Sequence, residues 1–222
     1  MVLFEYFLKV IPFMLEGMKT TVALGAATII FALPLGLLTT LLVRSSFKPV
    51  SWLAEVYIYI MRGTPLMLQL MFLYYSLPYM PVVGALFKMN RFLAAAVAFI
   101  LNYGAYFGEI FRGGLLSVPK GQYEACQVLG MNRWQTMIRV IMPQMFRVAL
   151  PSISNETITL VKDTALAYVI ALPEIMHAAK AVVSRDASSL AYLFAALLYL
   201  GMTFVLTLVF KKLERRYSLQ EK

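Results

Sequence analysis

Cysteine and histidine are nearly absent from this 222-residue chain, with one of each, Cys126 and His177. A single cysteine excludes an internal disulfide and any all-cysteine metal site. A single histidine leaves no histidine cluster for a metal, and no Ser/His/Asp or Cys/His set stands among the apolar segments. No GxxxxGK[ST] phosphate loop occurs, so ATP is not bound by that route. No internal repeat, low-complexity tract or flexible linker interrupts the sequence. The N-terminal stretch MVLFEYFLKVIPF carries an acid at Glu5, no basic lead and no small-residue cleavage site, so a cleaved signal peptide is not expected. Acidic residues are few, 11 against 20 Lys and Arg, giving a formal charge of +9.

What is abundant is apolar. Hydrophobic residues make up 61% of the chain and the mean hydropathy is +0.75, outside the range of soluble globular domains. Lipid is therefore the expected solvent, and the length favours one domain. Thr20 to Val43 runs 24 residues without a charge, more than the roughly 20 needed to cross a ~30 Å hydrocarbon core. In front of it, Phe4, Phe7, Leu8, Ile11 and Leu15 fall at helical spacing, and Pro12 suggests a short helix lying along the interface. Further spans are expected at about 52–77, 92–111, 150–172 and 190–210, which makes an all-α membrane protein of five transmembrane helices in one domain.

Three of these spans carry polar residues that lipid would reject. Span two holds Arg62-Gly63-Thr64-Pro65 near its middle. A charge at that depth costs roughly 2.5–3.5 kcal/mol, so Arg62 is expected to face protein or water, and Gly63 with Pro65 predicts a break. Span three contains Asn102, whose amide suits an interhelical hydrogen bond, and ends near Glu109 and Arg112, a candidate pair. Span four contains Glu156, Thr159, Lys162 and Asp163, and hydropathy alone would reject it. Without it the basic tail and the polar stretch described next would lie on opposite sides. Glu156 and Asp163 are two helical turns apart and share a face with Thr159 between them, while Lys162 points elsewhere. Pro173 to Ser189 reads as a polar loop.

The polar stretch is Gln122 to Pro143, QYEACQVLGMNRWQTMIRVIMP. Good helix formers end at Gly130, which tolerates a left-handed cap. Asn132 is placed to cap a second helix with Gln135 at its third position, a variant capping box, and Pro143 is expected to end that helix. The expectation is two short helices meeting at a sharp corner. With five spans and this bracket inside, twelve basic residues fall on inner segments, six on outer ones, and Arg62 and Lys162 in spans. That asymmetry puts the C-terminus and the bracket in the cytoplasm and the N-terminus outside. It also accounts for much of the positive charge without nucleic acid.

Glu124-Ala125-Cys126, then Gly130, Val140 and Met142-Pro143 at fixed spacing, resembles the EAA loop of ABC importer permeases. Cys126, Val140 and Met142 depart from that family's usual residues by small or apolar changes. MRGTPLMLQL in span two and NYGAYFGEIFRGGLLSVPKGQYEACQVLG are similar to the branch that carries polar amino acids. The resemblance covers about residues 4–217. It implies the permease subunit of a type I importer in a bacterial cytoplasmic membrane, a non-enzymatic chain with no cofactor of its own. ATP and Mg would be bound by a partner ATPase dimer, docked through Glu124, Ala125, Gly130, Met131 and Pro143. A second permease copy, identical or paralogous, and an extracytoplasmic amino-acid-binding protein would complete the assembly.

For the substrate, carboxylates at membrane depth need a cavity, water or a counter-charge. A zwitterionic or cationic amino acid brings an ammonium group, so Glu156, Asp163 and Asn102 are candidate ligands, with Lys162 or Arg62 meeting the substrate carboxylate. Some permeases of this branch hold substrate on the matching span-four residues, which the resemblance adds to this reading. Other readings stay open: internal ion pairs such as Asp163 with Arg62, a channel or secondary transporter using Glu156, Lys162 and Asp163 as an ion relay, or an assembly subunit whose charges only pair with a partner.

Overall fold

The computed structural model describes residues 2–81 and 84–217. Its first element, α1 (Val2–Val43), is one helix of 42 residues, about 60 Å long at 1.5 Å per residue. The segment expected to form a separate interfacial helix is thus the first part of α1. Pro12 does not stop it, because tertiary packing holds the helix on both sides of the proline. Val10 and Met14 are fully buried against Ile175, Ala179, Phe194 and Ala195. Pro34 is likewise carried inside the helix, as apolar helices with packed neighbours allow.

Two segments follow, α2 (Lys48–Gly63) and α3 (Leu66–Met71), and the chain bends by 104° between α2 and the segment Leu66–Tyr79 that α3 begins. A π-helical turn, Phe72–Ser76, and two 3-10 turns, Leu77–Tyr79 and Gly84–Phe87, lead to the next long helix. That helix, α4 (Arg91–Leu116), is the hub, begun by the Asn90 side chain accepting from the Leu93 N–H at 2.8 Å. Ala94, Ala95, Phe99, Tyr103, Phe107 and Phe111 are all buried, sharing one core with Leu24, Ala32, Met145 and Leu160.

Small residues set the distance between α1 and α4. A Cβ at Gly36 would lie 2.6 Å from the Phe107 Cβ and 2.9 Å from the Gly108 nitrogen. At the same crossing the Thr40 hydroxyl lies 2.8 Å from both the Gly36 and Gly108 carbonyls. Close backbone approach and a hydroxyl bridging two helices are the usual means of association where lipid supplies no hydrophobic drive.

The bracket is α5 (Lys120–Val128) and α6 (Arg133–Thr136). A π-helical turn, Met137–Ile141, joins α6 to α7 (Met142–Asp163), and a 3-10 segment, Thr164–Ile170, prolongs α7. Pro143 therefore does not end the second helix as expected. It sits in the first turn of α7, where a missing N–H is tolerated, next to a wider π turn, and Gln144 Nε2 donates to the Val140 carbonyl at 3.0 Å.

The stretch expected as a polar loop, 173–189, instead contains α8 (Ile175–Asp186), bent 53° from the preceding segment. Glu174 starts it: fully buried, its carboxylate accepts from the Met176 and His177 N–H groups at 2.7 and 2.6 Å and from the Tyr199 hydroxyl at 2.8 Å. Ile175, Ala179 and Val182 then bury one face against α1 and α9 (Leu190–Tyr217).

Ile30, Phe31, Leu200 and Phe204 are each at least 60% exposed, an apolar exterior that water would penalise and lipid would not. Among the described residues three helices are long and apolar enough to cross a membrane, α1, α4 and α9, and up to five crossings result if each bent pair counts as one span.

Candidate functional site

The break between α2 and α3 follows from its sequence. Pro65 disfavours helical geometry at the residue before it, and Thr64 and Pro65 are both extended, with ψ of 144° and 129°. Unwinding there frees carbonyls that the membrane interior cannot leave bare. Side chains take them up. The Thr64 hydroxyl donates to the Ile60 carbonyl at 2.7 Å. Asn102 Nδ2 and Gln69 Nε2 both donate to the Met61 carbonyl, at 2.9 and 3.0 Å. Asn102 Nδ2 also lies 3.0 Å from Gln69 Oε1, and Gln69 Nε2 lies 2.7 Å from the Thr64 hydroxyl.

Beside the break lies a cavity of about 580 Å³, with Arg62, Tyr103 and Tyr106 among its walls and Glu156, Thr159 and Asp163 supplied by α7. The shared face expected for Glu156, Thr159 and Asp163 is the face that lines it. Tyr103 donates its hydroxyl proton to Asp163 Oδ2 at 2.7 Å. Arg62 does not pair with Asp163. Its guanidinium lies over the Tyr106 ring, 5.3 Å from the centroid, and 3.6 Å from Glu109 Oε2. Glu109 is itself held by Arg112 through two bonds of 2.8 and 2.7 Å, the pair that the sequence suggested. Glu156 belongs to none of the ion pairs among the described residues.

Of the charged groups that line the cavity, Arg62 stands at the break and Glu156 and Asp163 on α7. The cavity is therefore acidic on the α7 wall and basic at the break, a polarity that fits a molecule with an ammonium and a carboxylate. Lys162 does not line this cavity; it is exposed elsewhere on α7. Asn102 reaches the cavity wall with its amide nitrogen already engaged, so it holds the break as well as lining the space. Gln69 and Tyr106 were not singled out by sequence reasoning. The signal for Gln69 was present, a lone amide in the apolar run Leu66–Met71 that begins just after a helix-breaking proline.

At the other candidate surface, the bracket corner has the geometry that its sequence suggests. Gly130 takes φ +69°, the Met131 N–H reaches the Cys126 carbonyl at 3.0 Å and the Gly130 N–H reaches the Gln127 carbonyl at 3.0 Å, a Schellman closure. Asn132 and Gln135 form the reciprocal capping box, with bonds of 2.9 and 3.0 Å. Cys126 is buried, Glu124 and Ala125 are exposed, and Met131 is half-buried. Val128, Leu129 and Trp134 stand 74–87% exposed around the corner. Exposed apolar side chains on a rigid, polar bracket make a surface suited to a protein partner. Gln144 Nε2 donates to Gln122 Oε1 at 3.2 Å, tying α5 to the first turn of α7.

Comparison with known proteins gives a consistent result. Residues 16–219 match the family model of the binding-protein-dependent transport system inner membrane component. The chain is 40% identical to the L-cystine transport system permease protein TcyB of Bacillus subtilis (strain 168), over 92% of this chain and 86% of that one. It is 39% identical to the arginine transport system permease protein ArtQ of the same organism, over 93% of each. Among solved structures it is similar to an amino acid ABC transporter crystallised with histidines, at a TM-score of 0.86 and 32% identity, covering 96% of this chain and 98% of that one.

Proposed function

Because the chain belongs to the family of binding-protein-dependent transport system inner membrane components, and is a permease subunit of an amino-acid ABC importer, we propose that the cavity beside the α2–α3 break holds a polar amino acid in transit. The observation that carries this reading is the arrangement of its charges. Glu156 and Asp163 face the space from α7, and Arg62 stands at the break. The substrate ammonium would meet Glu156, which has no ion-pair partner of its own among the described residues. The substrate carboxylate would turn toward Arg62 and the polar groups of the break. Charged groups inside membrane proteins line substrate paths because lipid would reject them.

ATP hydrolysis belongs to a partner ATPase dimer gripping the bracket around Glu124, Ala125, Gly130, Met131 and Pro143. A second permease copy, the same or paralogous, would complete the pathway, and an extracytoplasmic binding protein would deliver the amino acid. Five crossings, with the N-terminus outside and the bracket and C-terminus in the cytoplasm, agree with the asymmetry of the basic residues. When ATP draws the two ATPases together, the brackets follow, and because α7 continues the bracket, its Glu156 wall moves with them. The wall lies on one run from Arg133 to Asp163 with the second half of the bracket, and the Gly130 corner joins that run to Glu124 and Ala125 on α5, which supplies a mechanical route between them.

A cysteine at Thr159, in a chain with Cys126→Ser, tests the cavity directly. Hydrophilic thiol reagents should modify it in the assembled transporter, and saturating amino acid under ATP should protect it. Modification that the amino acid does not alter in any nucleotide state would exclude this cavity from the path.

A further inference from the structure

We propose that a groove between the first turns of α7 and the end of α9 holds an anionic phospholipid, its phosphate on Arg147 and an acyl chain along Phe146, Leu150 and Ile153. The groove has a volume of about 300 Å³, and Tyr217 of α9 closes its other side. Its polarity runs in one direction. Arg147 stands at the bracket end, and Leu150 and Ile153 lie one and two turns deeper along α7, where the chain becomes a membrane span. That is the order of groups in a phospholipid whose headgroup faces the bracket side.

Charge supports the same occupant. The last two turns of α9 carry Lys211, Lys212, Arg215 and Arg216, all exposed, against one acid, Glu214. Neither they nor Arg147 enter an ion pair among the described residues. Basic clusters at the cytoplasmic end of a transmembrane helix attract anionic headgroups. The apolar groove beside this cluster adds a seat for the chain, which a merely topological excess of positive charge would not need. The bracket corner, with Val128, Leu129 and Trp134, offers a protein partner its own surface, which adjoins the groove at Pro143. A lipid lodged here would wedge α7 against α9 at the point where the bracket becomes the cavity wall. The choice of leaflet rests on the orientation proposed above.

The test is native mass spectrometry of the intact transporter, titrated with phosphatidylglycerol or with phosphatidylcholine of the same chains. The parental complex should retain phosphatidylglycerol more tightly. Arg147→Gln should weaken that retention about fivefold, the scale of one basic residue near an anionic surface, and weaken that of phosphatidylcholine less, because its choline cation already offsets the phosphate. Leu150→Ser should weaken both. The assembled mass in the same spectra reports folding, and transport is not read, so failure of the substrate reading leaves this result standing. Reagent labelling of cysteines in 44–51 scores the orientation separately. Equal retention of the two lipids, or an unchanged Arg147→Gln complex, would overturn the proposal. So would displacement by glycerol 3-phosphate as effective as by phosphatidylglycerol, which would mark a free-phosphate site. A Leu150→Cys variant that crosslinks to the ATPase or to the second permease would give the groove to a protein instead.

Discussion

At the scale of single residues, the cavity depends on side chains that never touch its centre. Gln69 and Asn102 converge on the Met61 carbonyl, which the break would otherwise leave bare. Replacing Gln69 by Leu removes one donor and leaves Asn102 as the remaining one. Replacing both by Leu removes both side-chain donors, a loss of about 1 kcal/mol, the low end for an unsatisfied group because this one is partly buried. The single variants should raise the substrate concentration for half-maximal uptake with basal ATP hydrolysis intact, and the double variant should also lower the melting temperature of the purified complex. Unchanged uptake and melting in the double variant would mean that the break is held by something else. Gly36 makes a second residue-scale case. Gly36→Leu must push α1 from α4, because even a Cβ there would lie 2.6 Å from the Phe107 Cβ. Overpacking of this kind costs about 1–3 kcal/mol, and a lower yield of assembled complex should report it.

At the scale of elements, the bracket is the clearest case. Gly130 has φ +69° and no atom within 4 Å of where a Cβ would be. A substitution there is opposed by backbone conformation alone, by about 1–2 kcal/mol for an L-residue with a left-handed backbone. Gly130→Val should therefore insert normally and lose substrate-stimulated ATP hydrolysis, as should Glu124→Ala; unchanged stimulation in both would remove the bracket from coupling. The bracket was legible because its devices are local: a glycine for the left-handed turn, and an asparagine with a glutamine three residues on. The break in span two was legible for the same reason, since Gly63 and Pro65 act on their own backbone. Other elements were not. Pro12 suggested a boundary, yet Val10 and Met14 are buried against residues more than 150 positions away, and such packing overrides a local signal. Residues 173–189 looked polar because Glu174, His177, Lys180, Arg185 and Asp186 break up the apolar residues between them. Their helix becomes visible only when Glu174 is seen as its cap and Ile175, Ala179 and Val182 as one face. Of the cavity, the α7 face followed from spacing two turns apart, whereas the partner of Arg62 depended on which helices meet.

At the scale of the whole molecule, the bracket proposed to meet the ATPase joins the acidic wall through the run from Arg133 to Asp163, interrupted only by a π turn. Topology is the first test at this scale. Cysteines introduced at exposed positions within 79–91 and 174–189, such as Tyr79, Lys180 and Arg185, should react with reagents applied from outside, and those at 44–51 only from inside; the reverse pattern would invert the molecule and separate the bracket from the ATP side. The most direct test of the central claim compares Glu156→Gln and Glu156→Ala with the parent in vesicles containing the ATPase and the binding protein, reading uptake of a cationic against a neutral amino acid. Removing the carboxylate charge should lower the ratio of cationic to neutral uptake by about tenfold, the scale of a hydrogen bond to a charged group, with the complex assembled and ATP still hydrolysed. Parental rate and parental preference in both variants would contradict the account, because Glu156 would then face the cavity without meeting what passes through it.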